Sequence, residues 1–365
     1  MSLLQRTPSG RTRARGLGLP LLGTPGAHNA ITDVPGVEVG YTTLIEGADV
    51  RTGVTAILPR PRAELGVPCP AGWFSFNGNG EMTGTTWIEE SGGFTGPVGI
   101  TNTHAVGPVH AGVVEWMVRE LPEVAERWLL PVVAETWDGH LNDINGRHVH
   151  AAHAVAAIDN ARPGPVEEGS VGGGTGMRCY GYKGGSGTSS RMVAHGDVSF
   201  TVGAFVQANF GARRELTVMG VPVGRTLPEV AGDGDGSVIV VLATDAPLLP
   251  GQCKAFARRA ALGIGRTGTS GSHFSGDVFL ALSTATATAP TGEGGFESLR
   301  YVPWGALDPF YEAVVQAVEE AVLNALIANT AMTGRAGRHL EALPHAALRA
   351  IVEASTSGEP GRERA

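Results

Sequence analysis

The sequence is poor in charged side chains and in cysteine. Charged residues make up only 17% of its 365 residues, and the formal net charge is −8. Outside the extreme N-terminus there is no stripe of lysine and arginine, so nucleic-acid binding is disfavoured, because affinity for phosphate comes largely from basic contacts. The three cysteines, Cys69, Cys179 and Cys253, lie far apart and form no Cys-x-x-Cys pair. This sparse, odd number indicates a reducing compartment rather than a disulfide framework.

Long apolar runs are missing as well. No stretch of about 18 apolar residues occurs, so no transmembrane helix is expected. The N-terminal arginines are not followed by the apolar segment of a secretory signal. Residues 1–27 are expected to form a flexible arm. Together these absences predict a soluble, cytoplasmic protein with neither nucleic acid nor membrane as a partner.

Glycine and small apolar residues are abundant instead. The chain contains 54 glycines, and 42% of its residues are hydrophobic, a composition typical of tightly turned α/β packing. Strand signals alternate with helical periodicity, and their excess suggests two sheets covered by helices within one α/β domain. Strands are predicted at 37–43, 54–58, 130–136, 200–207, 216–218, 237–244 and 277–284. Helices are predicted at 109–121, 148–158, 251–262, 309–332 (with Asp308 as the N-cap) and 344–355.

The junction between Gly236 and Ser237 is the most informative local feature. A glycine-rich loop, predicted at 225–236, is followed directly by the continuous apolar run 237–244, which is typical of a strand buried on both faces. Glycine permits backbone geometries closed to other residues, so the Ser237 hydroxyl could attack the preceding carbonyl. An N-to-O acyl shift and ester hydrolysis would leave Ser237 as a new N-terminus, whose α-amino group can act as a base near neutral pH. Taken alone, the feature is more often an ordinary loop-to-strand junction.

Longer motifs give the junction its context. Read in order, these motifs resemble the DmpA/BapA family of L-aminopeptidase D-amidase/esterases and β-peptidyl aminopeptidases, and the resemblance extends over nearly the whole chain. The matching stretches are NAITDVPGVEVG at 29–40, ETWDG at 135–139, LND at 141–143, VQAN at 206–209, GS at 236–237 and ATDAPL at 243–248.

The resemblance implies a fold and an activity. It implies a four-layer α/β/β/α sandwich of the N-terminal-nucleophile hydrolase type, self-cleaved between Gly236 and Ser237 into a larger chain, 1–236, and a smaller chain, 237–365, that stay associated. It implies hydrolysis of the N-terminal amide of short peptides, amino-acid amides or esters, without a metal or an organic cofactor. It also implies a homo-oligomer, a tetramer of cleaved units.

The resemblance also assigns roles to particular residues. Ser237 matches the nucleophile, and Ser275 with Asp277 matches the polar pair that orients it and relays its proton. Some family members carry Glu where this chain has Asp277. Asn209 matches the oxyanion donor, a role typically worth several kcal/mol. Glu135 matches a carboxylate beside the substrate's amino group.

Trp137 is a departure from part of the family. DmpA-like members can carry a Tyr at this position, whose hydroxyl contributes to the site, whereas an indole offers only an N–H donor and a ring face. Glu135 and Trp137 are therefore expected to bind substrate. The preference among L-, D- and β-amino acids is left open by the sequence.

Other motifs give weaker indications. The glycine ribbon at 171–191 has neither Walker spacing nor a Gly-x-Gly-x-x-Gly pattern and is expected to be structural. The segment 233–236 lacks the distal carboxylate of a calcium loop. His148, His150 and His153 lack the His-Glu-x-x-His pattern of zinc proteases.

Two alternatives to a self-processing hydrolase remain. One is a non-catalytic or acyl-transferring relative of the same fold, which an intact chain with an unreactive Ser237 would support. The other is a metal-dependent amidohydrolase that uses the histidines.

Overall fold

Two β-sheets and the helices that cover them make up the computed structural model, which describes residues 2–227, 236–285 and 298–356. In chain order the strands are β1 (Glu38–Glu46), β2 (Val50–Leu58), β3 (Cys69–Ser75), β4 (Gly93–Phe94), β5 (Val98–Asn102), β6 (Val132–Thr136), β7 (Arg178–Cys179), β8 (Tyr182–Lys183), β9 (Gly185–His195), β10 (Val198–Asn209), β11 (Ser237–Thr244), β12 (Gly276–Ser283), β13 (Met332–Thr333) and β14 (His339–Leu340). The helices are α1 (Thr85–Ser91), α2 (Val106–Glu120), α3 (Pro122–Ala125), α4 (Ala151–Asp159), α5 (Pro250–Gly265), α6 (Asp308–Ile327) and α7 (His345–Thr356).

Within the ranges that the structure describes, the larger sheet has six strands and the smaller has four. The strand order is β4-β3-β12-β11-β10-β9 in the larger sheet and β1-β2-β5-β6 in the smaller. Neighbouring strands are antiparallel except for β11 with β12 and β5 with β6, which are parallel. The strands β7 and β8, and likewise β13 and β14, form separate two-stranded hairpins.

In the described part of the chain, three hydrophobic cores separate four layers. One core lies between the larger sheet and helices α5 and α6, a second between the two sheets, and a third between the smaller sheet and helices α2 and α4. The predicted α/β/β/α sandwich is therefore confirmed. Among the helices that the structure describes, none has the length and apolar character needed to cross a membrane.

Strand β11 is a central element of this arrangement. All eight of its residues are buried, and it pairs with β10 on one side and β12 on the other. Val238, Val240 and Leu242 belong to the core under the helices. Ile239, Val241 and Ala243 belong to the core between the sheets. A continuous apolar run is what a strand covered on both faces requires, so the strand predicted at 237–244 is confirmed.

The prediction of a flexible arm at residues 1–27 is wrong for the part that the structure describes. Arg13 is buried and donates to Glu168 at 2.7 Å, and Arg15 pairs with Glu320 at 2.9 Å. Ala14 and Leu17 join the core beneath the larger sheet. The arginines, which the sequence pattern placed on an exposed arm, instead supply the positive charge that buried carboxylates need.

Several smaller boundary predictions also differ from the structure. Helix α6 begins at Asp308, so this residue is not the N-cap, and the helix ends at Ile327 rather than at 332. The Asn329 side chain donates to the carbonyl of Ala325 at the end of this helix. Residues 216–218 form no strand, since only Val218 makes an isolated bridge, to Val221. Most of the loop predicted at 225–236, including residues 233–235, lies outside the described residues.

The glycine ribbon is part of the packed fold. It contains a 3₁₀ turn at Gly172–Gly176, the β7–β8 hairpin and the start of β9. At Gly187 on β9, a Cβ atom would lie only 2.0 Å from the carbonyl oxygen of Ala321 on helix α6. Glycine therefore lets this helix approach the sheet closely, which is a structural role as predicted.

Candidate active site

Ser237 is the first residue of β11 and lies between two strands that carry polar side chains. Its register partner on β10 is Asn209, and its partner on β12 is Gly276. Ser237 is only 3% exposed. Its Oγ accepts a hydrogen bond of 3.4 Å from the backbone N–H of Trp137, which follows directly after β6 in the other sheet. The two sheets thus meet at this hydroxyl.

The carbonyl group of Gly236, immediately before Ser237, is held in place. Its oxygen accepts a hydrogen bond of 3.2 Å from the backbone N–H of Gly276. A Cβ atom on residue 236 would lie 1.9 Å from the carbonyl oxygen of Asn209, a distance that no side chain tolerates. Glycine is therefore required here by close backbone approach, and the carbonyl carbon that Ser237 would attack carries a polarised oxygen.

The Asn209 side chain has a fixed orientation. Its Oδ1 accepts a hydrogen bond of 2.9 Å from the backbone N–H of Arg178, and its Nδ2 donates to the carbonyl oxygen of Trp137 at 3.0 Å. An amide nitrogen carries two hydrogens, so one donor remains after the bond to Trp137. This geometry suits a group that stabilises an oxyanion beside Ser237.

Ser275 and Asp277 flank the register partner of Ser237. Ser275 donates from its Oγ to Asp277 Oδ1 at 2.5 Å. Asn77 clamps the other side: its Nδ2 donates to Asp277 Oδ2 at 2.9 Å, and its Oδ1 accepts from the backbone N–H of Asp277 at 2.6 Å. Burial raises the pKa of Asp277, while the hydrogen bonds from Ser275 and Asn77 oppose the rise. The predicted pair therefore exists as a buried, ordered unit.

Glu135 lies near the end of β6 with its carboxylate almost wholly buried. The carboxylate accepts hydrogen bonds from the Thr103 hydroxyl and, at 3.0 Å, from the backbone N–H of Glu81. Burial raises the pKa of Glu135, and the two hydrogen bonds act in the opposite direction. A desolvated carboxylate held in this way is a strong partner for an ammonium group.

One cavity joins these groups. Its volume is about 550 Å³, within the range of small-molecule sites. The cavity is lined by Asn79, Thr103, Glu135, Trp137, His140, Arg178, Gly236, Ser237 and Phe274. Ser237 and Glu135 therefore face the same space, Asn209 and Asp277 lie on the strands next to Ser237, and Ser275 comes directly before β12.

Trp137 takes part in the site differently from the sequence expectation. Its backbone N–H contacts Ser237 and its carbonyl oxygen contacts Asn209, while its side chain is 45% exposed. The ring lines the cavity, so a binding role stays a prediction. The backbone contacts would be available to any non-proline residue at this position, which explains why the identity of the side chain gave no indication of them.

Several residues of the site were not singled out from the sequence. Asn77 and Thr103 position the carboxylates of Asp277 and Glu135, and His140 and Arg178 line the cavity. They come from separate segments, so spacing along the chain could not group them. Asn77 belongs to an Asn-Gly-Asn-Gly turn that the sequence does mark as unusual.

The three histidines considered for a metal do not converge on one point. His150 donates its backbone N–H to His153 Nδ1 at 3.0 Å, and His148 faces Asp143 at 3.7 Å. Within the described ranges, no group of three or more His, Cys, Asp or Glu side chains has the arrangement of a metal site. Cys69, Cys179 and Cys253 are buried and free.

Comparisons with known proteins identify the family of this chain. Residues 29–340 match the model of peptidase family S58. The chain is 52% identical to β-peptidyl aminopeptidase BapA of Sphingosinicella microcystinivorans, over 93% of this chain and 92% of that protein. It is 45% identical to BapA of Sphingosinicella xenopeptidilytica, over 94% and 91%.

A solved structure is similar as well. The L-aminopeptidase D-Ala-esterase/amidase of Ochrobactrum anthropi, a prototype for the serine aminopeptidases with a variant of the Ntn hydrolase fold, superposes with a TM-score of 0.90. The two are 50% identical, and the match covers 94% of this chain and 99% of that one.

Proposed function

This chain belongs to peptidase family S58 and is a serine aminopeptidase of the N-terminal-nucleophile hydrolase fold. From that premise we propose a role for each site residue in two successive reactions. The observation that carries the proposal is the position of Ser237. It begins a buried strand, follows a glycine whose close approach to the Asn209 backbone leaves no room for a Cβ atom, and faces a cavity that a buried carboxylate also lines, with an amide donor on the neighbouring strand.

The first reaction is self-cleavage. Ser237 Oγ attacks the carbonyl carbon of Gly236, whose oxygen is already hydrogen-bonded to the N–H of Gly276. The hydroxyl proton passes to the departing amide nitrogen of Ser237, which leaves an ester between Gly236 and the serine oxygen. Water then hydrolyses the ester and releases a Gly236 carboxylate and a free Ser237 amine. The products are the chains 1–236 and 237–365.

The second reaction is aminopeptidase turnover. The ammonium group of a short peptide, amino-acid amide or ester binds the Glu135 carboxylate. Ser237 Oγ attacks the first carbonyl carbon while its own α-amine accepts the proton, with Ser275 and Asp277 orienting the nucleophile and relaying that proton. Asn209 Nδ2 donates to the oxyanion. The leaving amine takes the proton, and water hydrolyses the acyl-enzyme.

Denaturing mass spectrometry of the purified wild type beside Ser237→Ala tests the proposal. Self-cleavage gives fragments of about 24 and 13 kDa, in proportion to 236 and 129 residues of the 37.7 kDa chain. The smaller fragment should begin at Ser237, and the variant should stay whole. An intact wild-type chain without activity would favour a non-catalytic relative. An intact chain that still hydrolyses amides would contradict the mechanism.

The proposal extends to the oligomeric state of the enzyme and to its location in the cell. From the resemblance to the family we expect a homo-oligomer, a tetramer of cleaved units, and such an assembly would screen out large folded substrates. Light scattering of the processed enzyme measures this directly. A cytoplasmic location is expected from the sparse cysteines, and cell fractionation would test it.

A further inference from the structure

One turn of the chain, residues 76–81 after β3, contacts both carboxylates of the site. At one point the side chain of Asn77 bonds to Asp277 on β12. At another, the backbone N–H of Glu81 donates to Glu135 Oε1 at 3.0 Å. The turn therefore touches the proposed proton relay and, separately, the carboxylate proposed to bind the substrate's ammonium group.

The backbone of Asp277 determines the orientation of the Asn77 amide. Asn77 Oδ1 accepts a hydrogen bond of 2.6 Å from the N–H of Asp277, and a backbone N–H can only donate. The other amide atom is therefore Nδ2, which donates to Asp277 Oδ2 at 2.9 Å. Nδ2 also donates to the carbonyl oxygen of Ser272 at 3.2 Å. Each hydrogen of the amide thus has an acceptor, and Asn77 has no freedom to accept a hydrogen from Asp277 Oδ2.

The two oxygens of Asp277 consequently differ. Oδ1 accepts from the hydroxyl of Ser275 at 2.5 Å. A hydroxyl rotates and can either donate or accept, so Ser275 is compatible with a proton on Oδ1. The Asn77 amide is compatible only with an unprotonated Oδ2. The geometry therefore allows a proton on one of the two oxygens alone.

We propose that Asn77 is a positioning residue for turnover: it blocks Oδ2 of Asp277, so that this carboxylate exchanges a proton only through Oδ1, the oxygen that faces Ser275. The inference rests on the proposed function, in which Ser275 and Asp277 relay the proton of the nucleophile. When Ser275 Oγ receives a proton from the Ser237 amine, its own hydrogen passes to Oδ1. Both transfers run backwards when the leaving amine is protonated, so no net charge is left on the pair.

The surroundings of Asp277 supply hydrogen-bond donors. Burial raises the pKa of Asp277, and three donors oppose the rise: the side chains of Ser275 and Asn77 and the backbone N–H of Val238. Towards helix α5 the residue shares a small cavity with Leu262, and among the described residues that line this cavity Asp277 alone is charged. Processing adds the α-amine of Ser237 on the neighbouring strand. Loss of the Asn77 donor is therefore expected to favour the protonated carboxyl.

Two variants test the proposal by the pH dependence of kcat. Processed Asn77→Asp and Asn77→Ser are assayed on an amino-acid amide over the pH range in which each stays folded. Asn77→Asp keeps an acceptor for the Asp277 N–H but places a negative charge against Oδ2. Its kcat should fall about tenfold or more, because a hydrogen bond to a charged group is lost. The pH at which kcat falls to half on the acid side should rise by about one pH unit. Asn77→Ser adds no charge, so its kcat should fall with a smaller change in that pH.

KM separates this role from a general disturbance of the turn. Because Glu81 on the same turn donates to Glu135, a displaced turn would also weaken binding of the ammonium group and raise KM. We expect KM to stay unchanged in both variants. The matched control is Asn160→Asp at the end of helix α4, where the exposed amide donates to the carbonyl of Tyr41 at 3.4 Å. It adds the same charge and should change neither kcat nor its pH dependence.

The outcomes separate this inference from the proposed function. A wild-type pH dependence of kcat in Asn77→Asp would overturn the inference and leave the aminopeptidase intact. So would a rise in KM that matches the fall in kcat, or failure of both variants to fold or to self-cleave, because Asn77 would then serve the fold or the first reaction. Wild-type kcat in Asp277→Asn would contradict the relay of the proposed function itself, and the inference with it.

Discussion

Asn209 and Ser237 are register partners in the antiparallel pairing of β10 and β11, with Asn209 anchored by the backbone N–H of Arg178. The amide that would stabilise an oxyanion is thus fixed to the same sheet as the nucleophile. This relationship makes Asn209 the most direct target for mutation.

Replacing Asn209 should reduce turnover more than binding. Asn209→Ala is expected to lower kcat by about 10²–10³-fold with a smaller change in KM, since the donor acts on the developing oxyanion. Asn209→Asp is the matched variant: it retains an acceptor for Arg178 N–H and loses the donor. Steady-state kinetics on an amino-acid amide measure both. Turnover within threefold of wild type in Asn209→Asp would rule out the donor role.

Gly236→Ala should slow self-cleavage. The added Cβ would lie 1.9 Å from the carbonyl oxygen of Asn209, so residue 236 must shift and the carbonyl must leave its bond to Gly276. Denaturing mass spectrometry over time after synthesis measures the cleaved fraction. Gly265→Ala is the control, because no atom lies within 4 Å of its added Cβ. Equal cleavage rates in the two variants would show that the close approach is irrelevant to processing.

Substrate binding should weaken in acid through Glu135. Burial raises the pKa of this carboxyl, so protonation removes its charge at a higher pH than for an ordinary glutamate. KM for an amino-acid amide should therefore rise as the pH falls through that pKa, while the substrate amine stays protonated. In Glu135→Gln, KM should be about tenfold higher or more and should not rise further as the pH falls. An identical pH profile for KM in both proteins would contradict the assignment.

Asp138 should make the protein less stable as the pH rises. Burial raises the pKa of this carboxyl from 3.8 to about 7, so between these values the folded state keeps a proton that the unfolded state releases. The contribution to the free energy of unfolding then falls by roughly 4 kcal/mol across that range and stays constant above it. Urea unfolding from pH 4 to 8 should show a flatter profile for Asp138→Asn than for wild type. Parallel profiles would contradict the shift.

Lys183 should act on turnover through Asn209. Its Nζ is wholly buried and donates to the carbonyl oxygens of Met177 at 3.0 Å and Gly184 at 2.7 Å. The Met177–Arg178 peptide unit presents its other side, the N–H of Arg178, to Asn209 Oδ1. Lys183→Met is therefore expected to lower kcat about tenfold, because the anchor of the amide loosens.

A double-mutant cycle distinguishes that role from a general loss of stability. In the Asn209→Ala background, Lys183→Met should cause little further loss of kcat, because both act on one donor. The partly exposed Lys254, which pairs with Glu89 at 2.6 Å, provides the control Lys254→Met. Additive losses for Lys183 and Asn209 would show that the lysine does not act through the amide.

Predictions from the sequence agree best with the structure where the residues that determine a helix or strand all lie in one short segment. The strand at 237–244 and helix α5 are apparent from local apolar runs and from Pro250 at the helix start, since periodicity and caps act within a few residues. The predicted ends of helices were less accurate. Helix α6 ends at Ile327, and the Asn329 side chain just beyond it donates to the carbonyl oxygen of Gly184 in another segment. The prediction of a flexible N-terminal arm was wrong because the ion-pair partners of its arginines, Glu168 and Glu320, are more than 150 residues away.

The sequence by itself determined the layered α/β class, the Gly236–Ser237 junction and, through the resemblance, the residue types expected around it. Those properties depend on local pattern and on ordered motifs. Only the tertiary structure decided that Asn77 clamps Asp277, that the backbone of Trp137 bridges Ser237 and Asn209, and that Arg178 and His140 share a cavity with Glu135. The physical reason is that hydrogen bonds and charges act over a few ångströms of space. Folding brings such groups together from segments whose separation along the chain carries no record of their contact.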